Sequence, residues 1–150
     1  MRILHVYDVM MLGGAETHII TLAKGLQAAG HQVLIVAGPG PGVELLRQQD
    51  LPYIPCALQG GLGVPQVEQL IQIVKEHRID LIHAHPTFSQ LASLLVAKVT
   101  QTPLVATLHG IYLLPEAVRQ YPSIACVGED VRQYGLTLGI PQERLRVIPN

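Results

Sequence analysis

His109 and the pair Gly13-Gly14 are the residues of this 150-residue chain whose types and surroundings could do chemistry. His109 follows the apolar run Leu104-Val105-Ala106-Thr107-Leu108 and precedes Gly110. A histidine at the C-terminal end of a strand, with a glycine beside it for access, can hydrogen-bond a substrate or move a proton near neutral pH. The same position also suits a structural histidine bonded to a backbone carbonyl. Gly13-Gly14 stand just before a helical pattern. No Ser, Thr or Asn immediately precedes Ala15 to cap it, so the first N–H groups point outwards. An anionic or hydroxyl-rich ligand could satisfy them, and so could water. The pair is not a Gly-x-Gly-x-x-Gly fingerprint and no Gly-Lys-Ser/Thr follows, so nucleotide triphosphate hydrolysis has no support.

Other polar residues are more ambiguous. Glu16 sits in the first helical turn, where it suits either the helix dipole or a ligand. His83 and His85 are two apart and share a face if the strand continues that far. A metal is conceivable there, but no third ligand stands at a telling spacing, so none is expected. His83 reads as a packed core histidine and His85, at the strand tip, as a residue able to line a cleft. His5 reads as structural, and His18, His31 and His77 as helix or turn positions. Tyr112, Glu116 and Arg119 follow in a loop or short helix. Glu129 and Asp130 open a helix, where the dipole favours acidic groups.

The elements that must position these residues alternate. Strands are expected at 3–7, 32–37, 53–55, 81–84, 104–108, 124–127 and 146–148. Helices are expected at 15–29, 42–49, from Pro65 onward, at 87–99 and at 129–138. Gly30 should stop the first helix, and residues 59–63 should form the most flexible loop. The helix at 87–99 carries Phe88, Leu91, Leu94, Leu95 and Val99, is apolar nearly all round and should be well covered. Strand, helix, strand in this order gives right-handed parallel crossovers. The fold class is therefore α/β, an open, mostly parallel, doubly wound Rossmann-like sheet with helices on both faces.

Composition fits that class. Hydrophobic residues make up 49% and charged residues 14%, as suits parallel strands buried on both faces. A net charge of −1 gives no broad attraction to nucleic acid or anionic lipid, and the absence of Trp argues against a base-stacking platform. Cys56 and Cys126, far apart and without metal-ligand spacing, read as reduced buried thiols of a cytosolic protein. The N-terminus does not read as a signal peptide, and no run approaches the roughly 20 apolar residues of a spanning helix.

Five segments also occur in a telling order. They are Gly13-Gly14-Ala15-Glu16, Ala29-Gly30-His31-Gln32-Val33, Ile79-Asp80-Leu81-Ile82-His83-Ala84-His85, Thr107-Leu108-His109-Gly110 and Arg146-Val147-Ile148-Pro149-Asn150. Together they resemble the N-terminal half of a GT-B glycosyltransferase, within the large retaining family 4. The resemblance implies that residues 1–150 are the acceptor-side Rossmann-like domain of a two-domain enzyme, with the donor-binding C-terminal domain absent from this chain. It implies transfer of a sugar from a nucleotide-sugar donor to a saccharide, lipid-linked or small-molecule acceptor, and no transfer by this chain alone. It implies no metal and no other cofactor. It places Gly13 and Gly14 near the donor diphosphate or transferred sugar and His109 near that sugar as the catalytic histidine. Glu16, His85 and Gly110 are the further candidates for donor or acceptor binding. The expected partners are donor, acceptor and the chain's own C-terminal domain, in the cytoplasm, with peripheral membrane contact left open. Many relatives carry Ser where this chain has Gly128 before Glu129, which removes a cap. A non-catalytic sugar- or nucleotide-binding module, or a UDP-sugar epimerase of the same fold, are the alternatives.

Overall fold

The computed structural model describes residues 1–58, 63–85, 88–111 and 116–150. Seven parallel strands form one sheet: β1 (Arg2–Val9), β2 (Gln32–Gly38), β3 (Tyr53–Pro55), β4 (Leu81–Ala84), β5 (Leu104–Leu108), β6 (Ile124–Cys126) and β7 (Leu145–Val147). Five helices alternate with them: α1 (Gly14–Ala28), α2 (Val43–Gln48), α3 (Val64–Glu76), α4 (Phe88–Thr100) and α5 (Glu129–Thr137). Short 3-10 turns occupy Glu116–Gln120 and Gln142–Arg144. All seven expected strands are present, with ends moved by one or two residues. The expected flexible loop lies outside the described residues except for Gly63, and Thr87 and Tyr112 lie outside them too.

The strand order is β3-β2-β1-β4-β5-β6-β7. The chain winds outward from β1 to β3, then crosses back and winds the other way from β4. The direction reverses between β1 and β4, and a doubly wound sheet binds ligands beyond the carboxyl ends of the strands at that point.

β1 is central, and Ile3, Leu4, His5, Val6 and Tyr7 are all buried. Alternation divides these side chains between two faces. Leu4 and Val6 join Ile82, Ala84, Leu104 and Ala106 in the core under α3 and α4, while Tyr7 joins Ile35, Ala37, Ile19 and Ala23 under α1 and α2. His5, His83, His85 and Thr107 fall between the apolar positions of the first set and so share the α1 face. The sheet is thus apolar on both faces at β2 but carries imidazoles on one face at β1 and β4.

α1 stops at Gly30 as expected, with φ +83°, where a side chain would be strained. Gly30 N–H donates to Gln27 O at 2.9 Å and His31 N–H to Leu26 O at 3.0 Å. Both cysteines are free and buried. The reading of α4 needs correction. Its buried residues are Ser89, Gln90, Ala92, Ser93, Leu94, Val96 and Ala97; Leu94 is covered as expected, whereas Phe88, Leu95 and Val99 are 38%, 40% and 62% exposed. Small residues let the helix lie close to β1 and β4, so packing follows fit rather than side-chain size.

Candidate active site

The loop after β1 starts the site. Gly13 is the extended N-cap of α1, with φ −168° and ψ −173°, and among the described residues no side chain caps the helix. A Cβ on Gly14 would meet nothing within 4 Å, so this helix start opens onto free space. Glu16 is buried at 5% exposure and turns inward. Its Oε1 accepts from the Tyr7 hydroxyl at 3.0 Å and from Met11 N–H at 3.2 Å. Glu16 therefore braces the loop that presents the two glycines. A Cβ on Gly13 would stand 3.0 Å from its Oε2. Asp8 acts on a different helix: its carboxylate accepts from Phe88 N–H at 3.1 Å and from Ser89 N–H, capping α4. Burial pushes the Asp8 carboxyl up while those backbone donors pull it down.

The histidines form the second part. β1 and β4 pair with His5 opposite His83, and His85 N–H extends the pairing by donating to Val6 O at 3.0 Å. His5 Nδ1 lies 3.1 Å from His85 Nε2, and His85 Nδ1 lies 3.0 Å from His109 Nε2. His83 Nε2 meets Thr107 Oγ1 at 2.7 Å. His18, on the first turns of α1, packs its ring edge-on against His109 with centroids 5.0 Å apart. Gly14 and His18 also line a groove of about 430 Å³ with Thr17, Thr21, Leu22, Ile148, Pro149 and Asn150. The glycine loop and His109 therefore share the C-terminal rim of the sheet, with His18 between them. Gly110 is half-buried beside His109. His85 itself has no exposed surface, so it does not line the cleft directly and reaches the rim through His109.

Burial decides the charge of this cluster. It lowers His5 and His109 to about 4 each, with the His18 charge adding to the effect in both. His83 and His85 are pushed well below the ordinary histidine value by burial first and by neighbouring imidazoles second. Burial also lowers His18, against a hydrogen bond to Asn150 that raises it. All these rings are neutral at pH 7. His109 is thus a neutral hydrogen-bonding group rather than one that titrates near neutrality.

His5, His83 and His85 bring one ring nitrogen each within 4.8 Å of one another. His5 supplies the third nitrogen that spacing in the sequence did not reveal. A cation there would have to enter past three side chains of 0%, 8% and 0% exposure. At the sixth strand, Glu129 accepts from Arg132 at 2.6 Å and from Gln133 at 2.7 Å, and Arg132 above all holds its carboxyl down to about 2. Among the described residues no side chain caps α5 behind Gly128.

Sequence reasoning missed His5, His18 and Asp8 as parts of this region. The signal for His5 was available only through strand pairing, because parallel register sets it beside His83. Asp8 caps a helix 80 residues further on.

The chain matches the family model of Glycosyltransferase Family 4 over residues 12–150. Among curated proteins it is 26% identical over 110 residues to a phosphatidyl-myo-inositol mannosyltransferase of Mycolicibacterium smegmatis, covering 69% of this chain and 28% of that protein. It is 30% identical over 110 residues to an alpha-monoglucosyldiacylglycerol synthase of Acholeplasma laidlawii, covering 68% and 27%. Its fold matches the Anabaena protein HepE, solved in complex with UDP-glucose, with a TM-score of 0.84 at 22% identity over 99% of this chain and 43% of that one. The chain spans less than half the length of each of these proteins. Among the described residues no helix is long and apolar enough to cross a membrane.

Proposed function

Because the chain belongs to Glycosyltransferase Family 4, we propose that it is the acceptor-side, N-terminal domain of a retaining enzyme that moves a sugar from a nucleotide-sugar to a hydroxyl acceptor. The observation that carries this reading is the shared rim: the open start of α1 at Gly13-Gly14 stands with His18 and His109 beyond the carboxyl ends of β1 and β5. Backbone N–H groups with no side-chain cap and a positive helix end suit a diphosphate or the hydroxyls of a sugar. His109, neutral and flanked by Gly110, suits hydrogen bonding to the transferred sugar. Glu16 acts from behind by fixing the loop.

In retaining transfer by front-face displacement, positive charge grows on the sugar and negative charge on the leaving diphosphate. Dipoles already in place stabilise both, with no reorganisation at the moment of reaction. The open start of α1 and His109 are this chain's contribution to that stabilisation. A second domain, matching the remainder of the relatives' length, supplies the main contacts to the donor. This chain alone therefore folds but transfers nothing. The names of the mannosyltransferase and the diacylglycerol synthase favour a lipid-linked hydroxyl as acceptor.

Incubating the parent protein with UDP- or GDP-linked hexoses, with and without a lipid-linked acceptor, tests the reading. Sugar transferred with retained anomeric configuration supports it. Hydrolysis-free epimerisation without acceptor, or binding without turnover of any donor, refutes it. Turnover by residues 1–150 alone refutes the need for the second domain.

A further inference from the structure

We propose that a second glycine-rich loop, Gly38-Pro39-Gly40-Pro41-Gly42 after β2, is the seat that sets the position of the Gly13-Gly14 loop, so that Gly40 and Gly42 are positioning residues for ligand binding. The proposal rests on the reading of Gly13-Gly14 as the ligand-facing loop. Its geometry is a contact of backbone against backbone. A Cβ on Gly38 would stand 2.5 Å from Asp8 O. A Cβ on Gly40 would fall closer still to Met10 O, and one on Gly42 closer still to Met11 O. All three glycines thus press on the segment that leads from β1 towards Gly13-Gly14. None of the three lies in the left-handed region, so backbone conformation does not call for glycine there. Close approach of the two loops does.

Hydrogen bonds lock the contact. Met10 N–H donates to Gly38 O at 3.1 Å, and Gly42 N–H donates to Met10 O at 2.8 Å. The Met10 side chain has no exposed surface and packs with Val43 and Leu46 in the core under α1 and α2. Pro39 and Pro41 stand exposed between the glycines and fix φ there, which removes freedom that glycines alone would bring. The loop is therefore stiff as well as close.

The seated segment serves both halves of the site. On one side Met11 N–H donates to Glu16 Oε1 at 3.2 Å, and Glu16 stands against Gly13. On the other, Tyr7 pairs with Ala37 and Val9 with Gly38, so Asp8 is bulged out of the ladder. A bulge re-aims a side chain, and this one sends the Asp8 carboxylate to the Phe88 and Ser89 N–H groups at the start of α4. The Ser89 hydroxyl in turn donates to His85 O at 2.8 Å. Moving residues 8–11 therefore moves the Gly13-Gly14 loop and disturbs the support of His85 behind His109. A backbone carbonyl cannot swing aside as the tip of a side chain can, so a methyl group at position 40 or 42 lifts the segment. A displacement of about 1 Å at a positioned group costs on the order of 100-fold in rate.

The test compares Gly40→Ala and Gly42→Ala with Gly25→Ala in the parent protein. Gly25 lies on α1, and a Cβ there meets nothing within 4 Å. Two readouts are taken at a temperature where urea titration shows each variant folded. One is the backbone amide spectrum of nitrogen-15-labelled protein. The other is KM and kcat for the UDP- or GDP-linked hexose that the unaltered protein turns over. In Gly40→Ala and Gly42→Ala the amides of Met11, Gly13, Gly14 and Ser89 should shift, and the donor KM should rise about 10-fold. Gly25→Ala should change neither. A loop that serves stability alone would lower the urea midpoint and leave KM unmoved. Amide shifts confined to residues 38–46, or unchanged KM and kcat in both variants, overturn the proposal. Should both variants fail to fold, hydrogen exchange in the unaltered protein decides. The Met10 and Gly42 amides should then be protected together and far more than the Gly14 amide, and exchange as fast as that of Gly14 overturns the seat. The functional reading fails separately: the expected amide shifts with no sugar transfer by the unaltered parent refute only that reading, and transfer with unchanged KM and kcat in both variants refutes only this proposal.

Discussion

Grooves of similar size lie at the two rims of the sheet, and their chemistry differs. The groove at the N-terminal rim, about 400 Å³, lies among Arg2, Gln27, His31, Pro52 and His77. Its charges satisfy one another. Arg2 Nη2 pairs with Asp80 Oδ1 at 2.7 Å, Arg2 N–H donates to the same carboxylate at 2.7 Å, and Arg2 holds that carboxyl down to about 2. The groove at the C-terminal rim, about 430 Å³, adjoins a helix start with no side-chain cap and a neutral histidine backed by two more. Volume does not distinguish them. Strand direction does, because the carboxyl ends and the reversal of winding between β1 and β4 fall at the second rim.

Acid should produce the largest effect, and it acts on the histidine side of this comparison. Each pKa held below its unfolded value means that the unfolded chain binds the extra proton. The stabilisation is complete above pH 6.5 and is lost as pH falls towards 4. His5 alone accounts for about 3 kcal/mol across that window. Urea midpoints measured through the window should fall steeply, and His5→Leu should flatten the slope. An unchanged slope would mean that the buried rings are already charged.

Next in size, His109→Ala in the parent protein should lower kcat by about 100-fold with the fold intact, within the range of a positioned catalytic side chain. Near-normal turnover would reduce His109 to a structural part. Gly14→Val should weaken nucleotide-sugar binding by about 10-fold, measured by titration calorimetry. The free chain accepts the new Cβ because nothing stands within 4 Å, so only a ligand would feel it. Undiminished affinity removes the glycine loop from the site. The smallest effect belongs to the other rim: His77→Ala should leave turnover unchanged, and a loss comparable to that of His109→Ala would erase the distinction between rims.

The sequence made the sheet readable where physics leaves few choices. Continuous apolar runs such as Leu104 to Leu108 can only be strands buried on both faces, and Gly30 marks a stop that needs positive φ. His109 was legible for the same reason, since a polar residue after such a run falls at a strand end. The inward face of α4 was legible only in part, because Leu94 is covered but small residues, Ser89, Ala92, Ser93 and Ala97, take up most of the rest while Leu95 and Val99 are exposed. Nor were the partners of His85. A mid-strand histidine looks structural until register places His5 beside His83 and under the same helix. Glu16 looked like a first-turn acid facing solvent or ligand, but it is drawn inward by the Tyr7 hydroxyl and Met11 N–H. These are long-range pairings, and local pattern carries no record of them.

The central claim is that the ligand sits at the carboxyl-end rim, between Gly14 and His109. The direct measurement is nuclear magnetic resonance of the uniformly nitrogen-15-labelled parent protein during titration with the nucleotide-sugar that supports transfer. The account predicts shifts of the Gly14 amide and the His109 ring, with Gln27 and His77 unmoved. Shifts confined to Gln27 and His77, or none at Gly14 and His109, would contradict it.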